Sequence, residues 1–168
     1  MSMPGPIGMT APERPHTAAE EELAAIFARA AQRATALKLE YAGAVTPDEA
    51  WRLHSAGMAV IVDVRTRPEW ELVGHVPGVP LVEWRCYGEQ RPNPRFLEQL
   101  QSVASREEPV LFLCRSGARS HDAAALAERA GFRSAYNILE GFEGDLDTAR
   151  RRGNVGGWRH AGLPWLQT

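Results

Sequence analysis

The sequence predicts an α/β fold: an open parallel sheet of about five strands with helices on both faces, plus an N-terminal amphipathic helix. Two apolar runs, 58–64 and 110–113, are nearly free of polar residues and read as strands buried on both faces, as parallel sheets require. Segments with helix-capping signals separate these runs, and strands alternating with helices indicate parallel crossovers. With 168 residues, 44% hydrophobic and 24% charged, the chain suits one domain able to bury a real core.

Residues 1–16 are rich in Pro and Gly, lack periodicity and read as a disordered arm. Thr17-Ala18-Ala19-Glu20 is a capping box, and Leu23, Ile26, Phe27, Ala30, Ala34 and Leu37 follow at helical spacing, so 17–39 reads as one amphipathic helix. Its apolar stripe must be buried, either as a flank packed on the domain or as a homodimer contact. A second capping box, from Thr46 to Glu49 with Pro47 at the first helical position, opens a helix through Trp51 and Leu53 to Gly57. After the strand at 58–64 come a short helix at 68–73, a short strand at 79–82, and a helix from Asn93-Pro94 through Phe96, Leu97 and Leu100. The strand at 110–113, a helix at 119–130 stopped by Gly131, and a strand at 135–139 complete the alternation. The expected organisation is an arm at 1–16, a helix at 17–39 and the main domain at 40–168.

Ligands in such sheets sit beyond the C-terminal ends of the strands. Cys114 lies at one of those ends, and Asp63 and Arg65 at another. The loop Cys114, Arg115, Ser116, Gly117, Ala118, Arg119, Ser120 runs directly into a helix, whose first N–H groups and dipole favour an anion and so a nucleophilic thiolate. Small residues at Ser116, Gly117 and Ala118 allow successive amides to face one point. Arg119 can turn back across the loop with several donors.

The string Cys-Arg-Ser-Gly-Ala-Arg-Ser after an apolar strand resembles the active-site loop of rhodanese-type sulfurtransferases. An upstream block agrees with that family in type and order: Ile61-Val62-Asp63-Val64-Arg65, then Glu69-Trp70, then Gly74-His75-Val76-Pro77-Gly78-Val79. Gly162-Leu163-Pro164 after Trp158 is similar to the end of many single-domain members. The resemblance covers roughly residues 40 to 168, and the joint match is specific where a lone Cys-x4-Arg would be weak. It implies a sulfurtransferase that moves a sulfane sulfur from a donor such as thiosulfate, through a Cys114 persulfide, to cyanide or a thiol. Arg115 would attract the anionic donor, Arg119 would fix the loop, and Ser116 and Ser120 would donate to the persulfide. No metal or organic cofactor is implied.

Related cell-division-control phosphatases resemble rhodaneses in fold but place five residues between cysteine and arginine. This chain has four, Arg115, Ser116, Gly117 and Ala118, a tighter ring that suits one extra sulfur better than a tetrahedral phosphate. A Cys-dependent phosphatase is therefore the disfavoured alternative. A persulfide carrier or a binding module serving a partner protein are the others, and the presence of Cys114 and Arg119 counts against the non-catalytic module.

Other residues carry two readings. Asp63 and Arg65 either orient the loop or form a structural ion pair, the commoner role of such pairs. His75 reads as a satisfied turn histidine, His121 as a solvated residue that could otherwise tune Cys114, and Cys86 as a partly buried, unreactive thiol that could otherwise resolve a persulfide. Glu69, Trp70, Glu71 and Trp84 read as packing and surface residues. The stretch 142–157 is longer than in the minimal family pattern, contains Arg150, Arg151 and Arg152, and follows a strand end, from where it could fold over the Cys114 pocket.

Composition excludes broader classes. A net charge of −2 and a pI near 6.2 lack the basic excess of a nucleic-acid protein. There is no signal-like apolar core at the start and no 18-residue apolar span, so a cytoplasmic location is expected. Two cysteines are too few for a disulfide framework or a structural zinc site.

Overall fold

The computed structural model describes residues 14–168, so most of the arm expected at 1–16 lies outside the described residues. Capping chemistry sets the helix starts. In α1 (Ala18–Leu37) Thr17 accepts from the Glu20 N–H while Glu20 reaches back to the Thr17 N–H; in α2 (Pro47–Ser55) Thr46 and Glu49 do the same. Both predicted boxes are therefore present, and α1 stops where Lys38 turns left-handed.

Four short strands, β1 (Gly43–Val45), β2 (Val60–Asp63), β3 (Val110–Leu113) and β4 (Ala135–Ile138), form one wholly parallel sheet in the order β1-β4-β3-β2. The helices α3 (Phe96–Val103) and α4 (Ala118–Arg129) complete the alternation. Inward-pointing residues alternate along β3. Val110 and Phe112 join Val62, Phe96, Leu100 and the alanines of α4 in one core, whereas Leu111 and Leu113 join Ile26, Leu53, Ile61, Ile138, Phe142 and Trp158 in the other. Helices thus cover both faces, and each fully buried aliphatic such as Leu53 or Ile61 contributes about 1.5–3 kcal/mol.

Three elements differ from expectation. The segment expected as a strand at 79–82 makes a single parallel bridge, Leu81 to Asp63, because Pro80 has no N–H to extend a ladder. In exchange β1 appears at the opposite edge; three residues, Gly-Ala-Val, are too few to show a period in sequence. The short helix expected at 68–73 is a single π-helical turn, Glu69–Val73.

The apolar stripe of α1 is used within the chain, with Ile26 and Ala30 wholly buried against the sheet. Contact is closest at Gly43, where an added Cβ would lie 2.5 Å from the Ala30 carbonyl oxygen. Among the described residues no helix is long and apolar enough to cross a membrane.

Gly43→Val is therefore expected to push α1 off β1 and to cost about 1–3 kcal/mol, the usual penalty of overpacking. Urea unfolding of the variant beside the wild type checks this; an unchanged midpoint would contradict it.

Candidate active site

β3 is the strand that ends at Cys114. All four of its residues are buried between β2 and β4, and the next residue, Cys114, is 1% exposed where the strand ends. The chain then turns through Gly117, at φ 107°, into α4. The first backbone bond of α4 is His121 N–H to the Gly117 carbonyl, so the N–H groups of Ala118, Arg119 and Ser120 have no intrahelical acceptor.

Two donors reach the sulfur directly. The Gly117 N–H donates to Cys114 Sγ at 3.0 Å, and Ser120 Oγ lies 3.1 Å from it. Ser120 Oγ is also 2.6 Å from Asn137 Oδ1, and the Asn137 amide donates to the Gly117 carbonyl at 3.2 Å. A hydroxyl has one proton, so Ser120 donates either to Asn137 or to the sulfur. With a neutral thiol the proton rests on the shorter contact to Asn137. With an anionic sulfur it turns to Sγ, where a charge-assisted bond is stronger.

Arg119 does not hang over the sulfur free of partners. Its guanidinium makes a two-point contact with Glu69, Nη1 to Oε2 at 2.8 Å and Nη2 to Oε1 at 2.7 Å, and both side chains are only 19% exposed. Glu69 also accepts from the N–H and hydroxyl of Thr66, at 2.9 and 2.8 Å. Burial by itself would raise the Glu69 carboxyl, but the bonds from Arg119 and Thr66 outweigh it and hold the group at about 2. The guanidinium is shifted upward in turn, chiefly by its bond to Glu69. This clamp joins the start of α4 to the π-helical turn fifty residues away.

The loop is also held from below. A Cβ at Gly141, whose φ is 65°, would lie 2.5 Å from the Cys114 carbonyl oxygen. The backbones meet there: Phe142 N–H donates to the Cys114 carbonyl at 2.7 Å and Glu143 N–H to the Arg115 carbonyl at 2.9 Å. The Phe142 ring rests under the Arg65 guanidinium at 4.1 Å. Asp63 and Arg65, both wholly buried, bind through Nε and Nη2, the latter at 2.6 Å, and Arg65 also donates to the Gly74 carbonyl at 2.7 Å. The pair thus supports the floor beneath the loop through Phe142.

Beside the loop opens a cleft of about 530 Å³. Its walls carry Glu69 and Arg119, Arg115, Arg85 and Cys86 from the segment before α3, and Glu143 and Arg152 from 142–157.

A family model, the rhodanese-like domain, matches residues 46–147. The chain belongs to the rhodanese-like family. An uncharacterized protein of Rickettsia rickettsii is 35% identical over 109 residues, 64% of this chain and 82% of that one. GlpE of Actinobacillus succinogenes, named a thiosulfate sulfurtransferase, is 27% identical over 120 residues, 71% of this chain and 86% of that one. Among solved structures, Rv0390 from M. tuberculosis is 46% identical with a TM-score of 0.69, covering 76% of this chain and 99% of that one. These relatives support membership of a sulfurtransferase family.

Around this rhodanese-like loop the structure brings together Cys114, Gly117, Ser120 and Arg119, with Arg115 and Ala118 exposed at its rim and Ser116 half-buried. His75 is packed in its turn, stacked on Trp70 at 3.7 Å between ring centroids. His121 Nδ1 and the Tyr41 hydroxyl share a hydrogen bond at 2.6 Å, and burial pushes that hydroxyl up to about 12. Cys86 is exposed rather than partly buried, because the segment around it turns outward after Trp84 is buried. Glu69, read above as a surface residue, is the partner of Arg119; its position three residues after Thr66 is a capping-box spacing that fixes the local turn but says nothing of Arg119. Asn137 was also missed, although one polar residue inside the buried run Ala-Tyr-Asn-Ile was a signal.

The Glu69 carboxyl is depressed in the fold, so its contribution to stability is complete above the ordinary value of 4.5 and fades as pH falls toward 2. The stability gap between wild type and Glu69→Gln should accordingly be flat above pH 4.5 and shrink below it, as read from urea midpoints against pH. A gap that widens on acidification would contradict the clamp. Asn137→Ala frees Ser120 and Gly117 to drift from Sγ and should slow alkylation of Cys114 about tenfold, the weight of one hydrogen bond of about 1–1.5 kcal/mol, measured by timed iodoacetamide labelling and mass spectrometry.

Proposed function

We propose that the chain is a sulfurtransferase that takes a sulfane sulfur from an anionic donor such as thiosulfate onto Cys114 and hands it to a thiophilic acceptor, cyanide or a thiol. The observation that carries the reading is the sulfur of Cys114, placed at the open start of α4 within bonding distance of the Gly117 N–H and the Ser120 hydroxyl. These donors stabilise negative charge on Sγ, the Gly117 N–H already in place and the Ser120 hydroxyl by turning to it.

In the first half-reaction the Cys114 thiolate attacks the outer sulfur of thiosulfate. A bond forms from Sγ to that sulfur, the bond to the inner sulfur breaks, and its electron pair leaves on sulfite. In the second, cyanide or a thiolate attacks the terminal sulfur of the persulfide and the pair returns to Cys114. Arg115 attracts the donor, Arg119 holds the loop through Glu69, Ser116, Gly117, Ala118 and Ser120 line the cradle, and Asp63 with Arg65 supports its floor. The four residues between Cys114 and Arg119 favour this chemistry over phosphoryl transfer. The unit responsible is 40–168, with 17–39 as its packed flank. A reducing compartment such as the cytoplasm keeps both cysteines as the thiols this chemistry needs.

Intact mass spectrometry after thiosulfate treatment is the test. The wild type should gain one sulfur on Cys114 and lose it to cyanide, and Cys114→Ser should gain none there. Thiocyanate production over many turnovers would identify an enzyme, whereas a single discharge would identify a persulfide carrier. A wild type that takes no sulfur from any sulfane donor would overturn the reading.

A further inference from the structure

The cleft beside the Cys114 loop, lined by Arg115 and Arg119 from that loop while Cys114 itself is buried next to them, is larger and more cationic than thiosulfate requires. At roughly 30 Å³ per water-sized group, the five heavy atoms of thiosulfate fill less than a third of about 530 Å³. Clefts of this size, on the order of 300–1,000 Å³, take organic ligands. Four guanidiniums line it, those of Arg85, Arg115, Arg119 and Arg152, against the carboxylates of Glu69, Glu89 and Glu143. Two carboxylates are already engaged: Glu69 by Arg119, and Glu143 by Arg159 at 3.7 Å.

Arg85, Arg115 and Arg152 therefore face only Glu89. Among the described residues neither the Arg85 nor the Arg115 side chain has an ion-pair or hydrogen-bond partner, and the Arg85 Nε is buried with no acceptor. A buried donor without an acceptor is a cost, and a carboxylate that drew the Arg85 fork toward the cleft would relieve it. Arg152 is pinned by one nitrogen to the Gly144 carbonyl at 2.7 Å, which holds its remaining donors in place at low entropic cost. The two residues come from opposite segments, Arg85 from the stretch between β2 and α3 and Arg152 from the stretch after β4. Arg115 lines the same cleft from the loop itself.

We propose that Arg85 and Arg152 form an outer anion site that selects a low-molecular-weight organic persulfide bearing two carboxylates as the sulfur donor. The proposal rests on the sulfur-transfer reading and names the donor class for it. The persulfide end enters the Cys114 loop past Arg115, and the carboxylates take the guanidinium forks of Arg85 and Arg152. The Cys114 thiolate attacks the outer sulfur of R–S–SH, the new Sγ–S bond forms, the old S–S bond breaks, and its electron pair leaves on R–S⁻. The proton stays with the transferred sulfur, and no oxidant or reductant is needed. A concave cleft rather than a flat face favours a small donor over a protein surface.

Single-turnover loading of the full chain tests this, with the label mapped to Cys114 by peptide mass spectrometry so that the exposed Cys86 is scored separately. The donors are glutathione persulfide, with two carboxylates, cysteamine persulfide, with none, and thiosulfate. The wild type should half-saturate at a concentration about tenfold lower with glutathione persulfide than with cysteamine persulfide. Arg85→Ala and Arg152→Ala should each reduce that preference about fivefold, Arg152→Glu should reverse it, and Arg152→Lys should keep part of it. Equal half-saturation by the two persulfides, or variants that leave the ratio unchanged, would overturn the donor assignment while leaving sulfur transfer standing. If none of the three donors loads Cys114, the sulfur-transfer reading falls and the donor assignment falls with it.

Discussion

Everything at this site depends on holding a buried sulfur where a strand ends and a helix begins. β3 can bring Cys114 to that point only because it runs through the middle of a parallel sheet with apolar cover on both faces. The turn that follows is then closed from three directions. Gly141 and Phe142 come up beneath the Cys114 carbonyl, Glu69 grips Arg119 in front, and Asn137 holds Ser120 and Gly117 behind. Each of these contacts fixes the groups around Sγ from a different element.

Magnitudes separate the interactions that matter here from those that do not. The ion pairs on the exposed faces, such as Arg95 with Glu98 and Arg129 with Glu40, lie in water and contribute little to stability. Asp63 and Arg65 are different, since both are sealed from solvent. Taking two charges from water offsets much of their attraction, so the pair is poor evidence for stability; its value is geometric. It fixes a guanidinium over Phe142, and Phe142 fixes the Cys114 carbonyl. Glu69 and Arg119 play the matching part at the mouth of the loop.

Much of this was legible in the chain before its fold was known. Capping boxes at Thr17 and Thr46 are local chemistry, and the structure realises both. The buried runs that became β2 and β3 are long enough in apolar residues to show at once, and they place the cysteine at a strand end. What stayed hidden is non-local. β1 is three residues of ordinary composition whose pairing with β4 depends on the approach of α1 at Gly43. The partnership of Glu69 with Arg119 spans fifty residues, and that of Ser120 with Asn137 spans seventeen, so no spacing rule reaches either. The stretch 142–157 was expected to fold over the pocket from its position alone; Glu143 and Arg152 do line the cleft, and the backbone bonds to Cys114 and Arg115 show how it is tied there.

Initial-rate kinetics measure the central claim most directly, because a sulfur carried on Cys114 would separate donor and acceptor in time. With thiosulfate varied at several fixed cyanide concentrations, double-reciprocal plots should be parallel, the mark of an enzyme that is covalently loaded before the acceptor binds. Intersecting lines would mean that donor and acceptor meet on the protein together, and Cys114 would then be a binding residue and not the carrier of the sulfur.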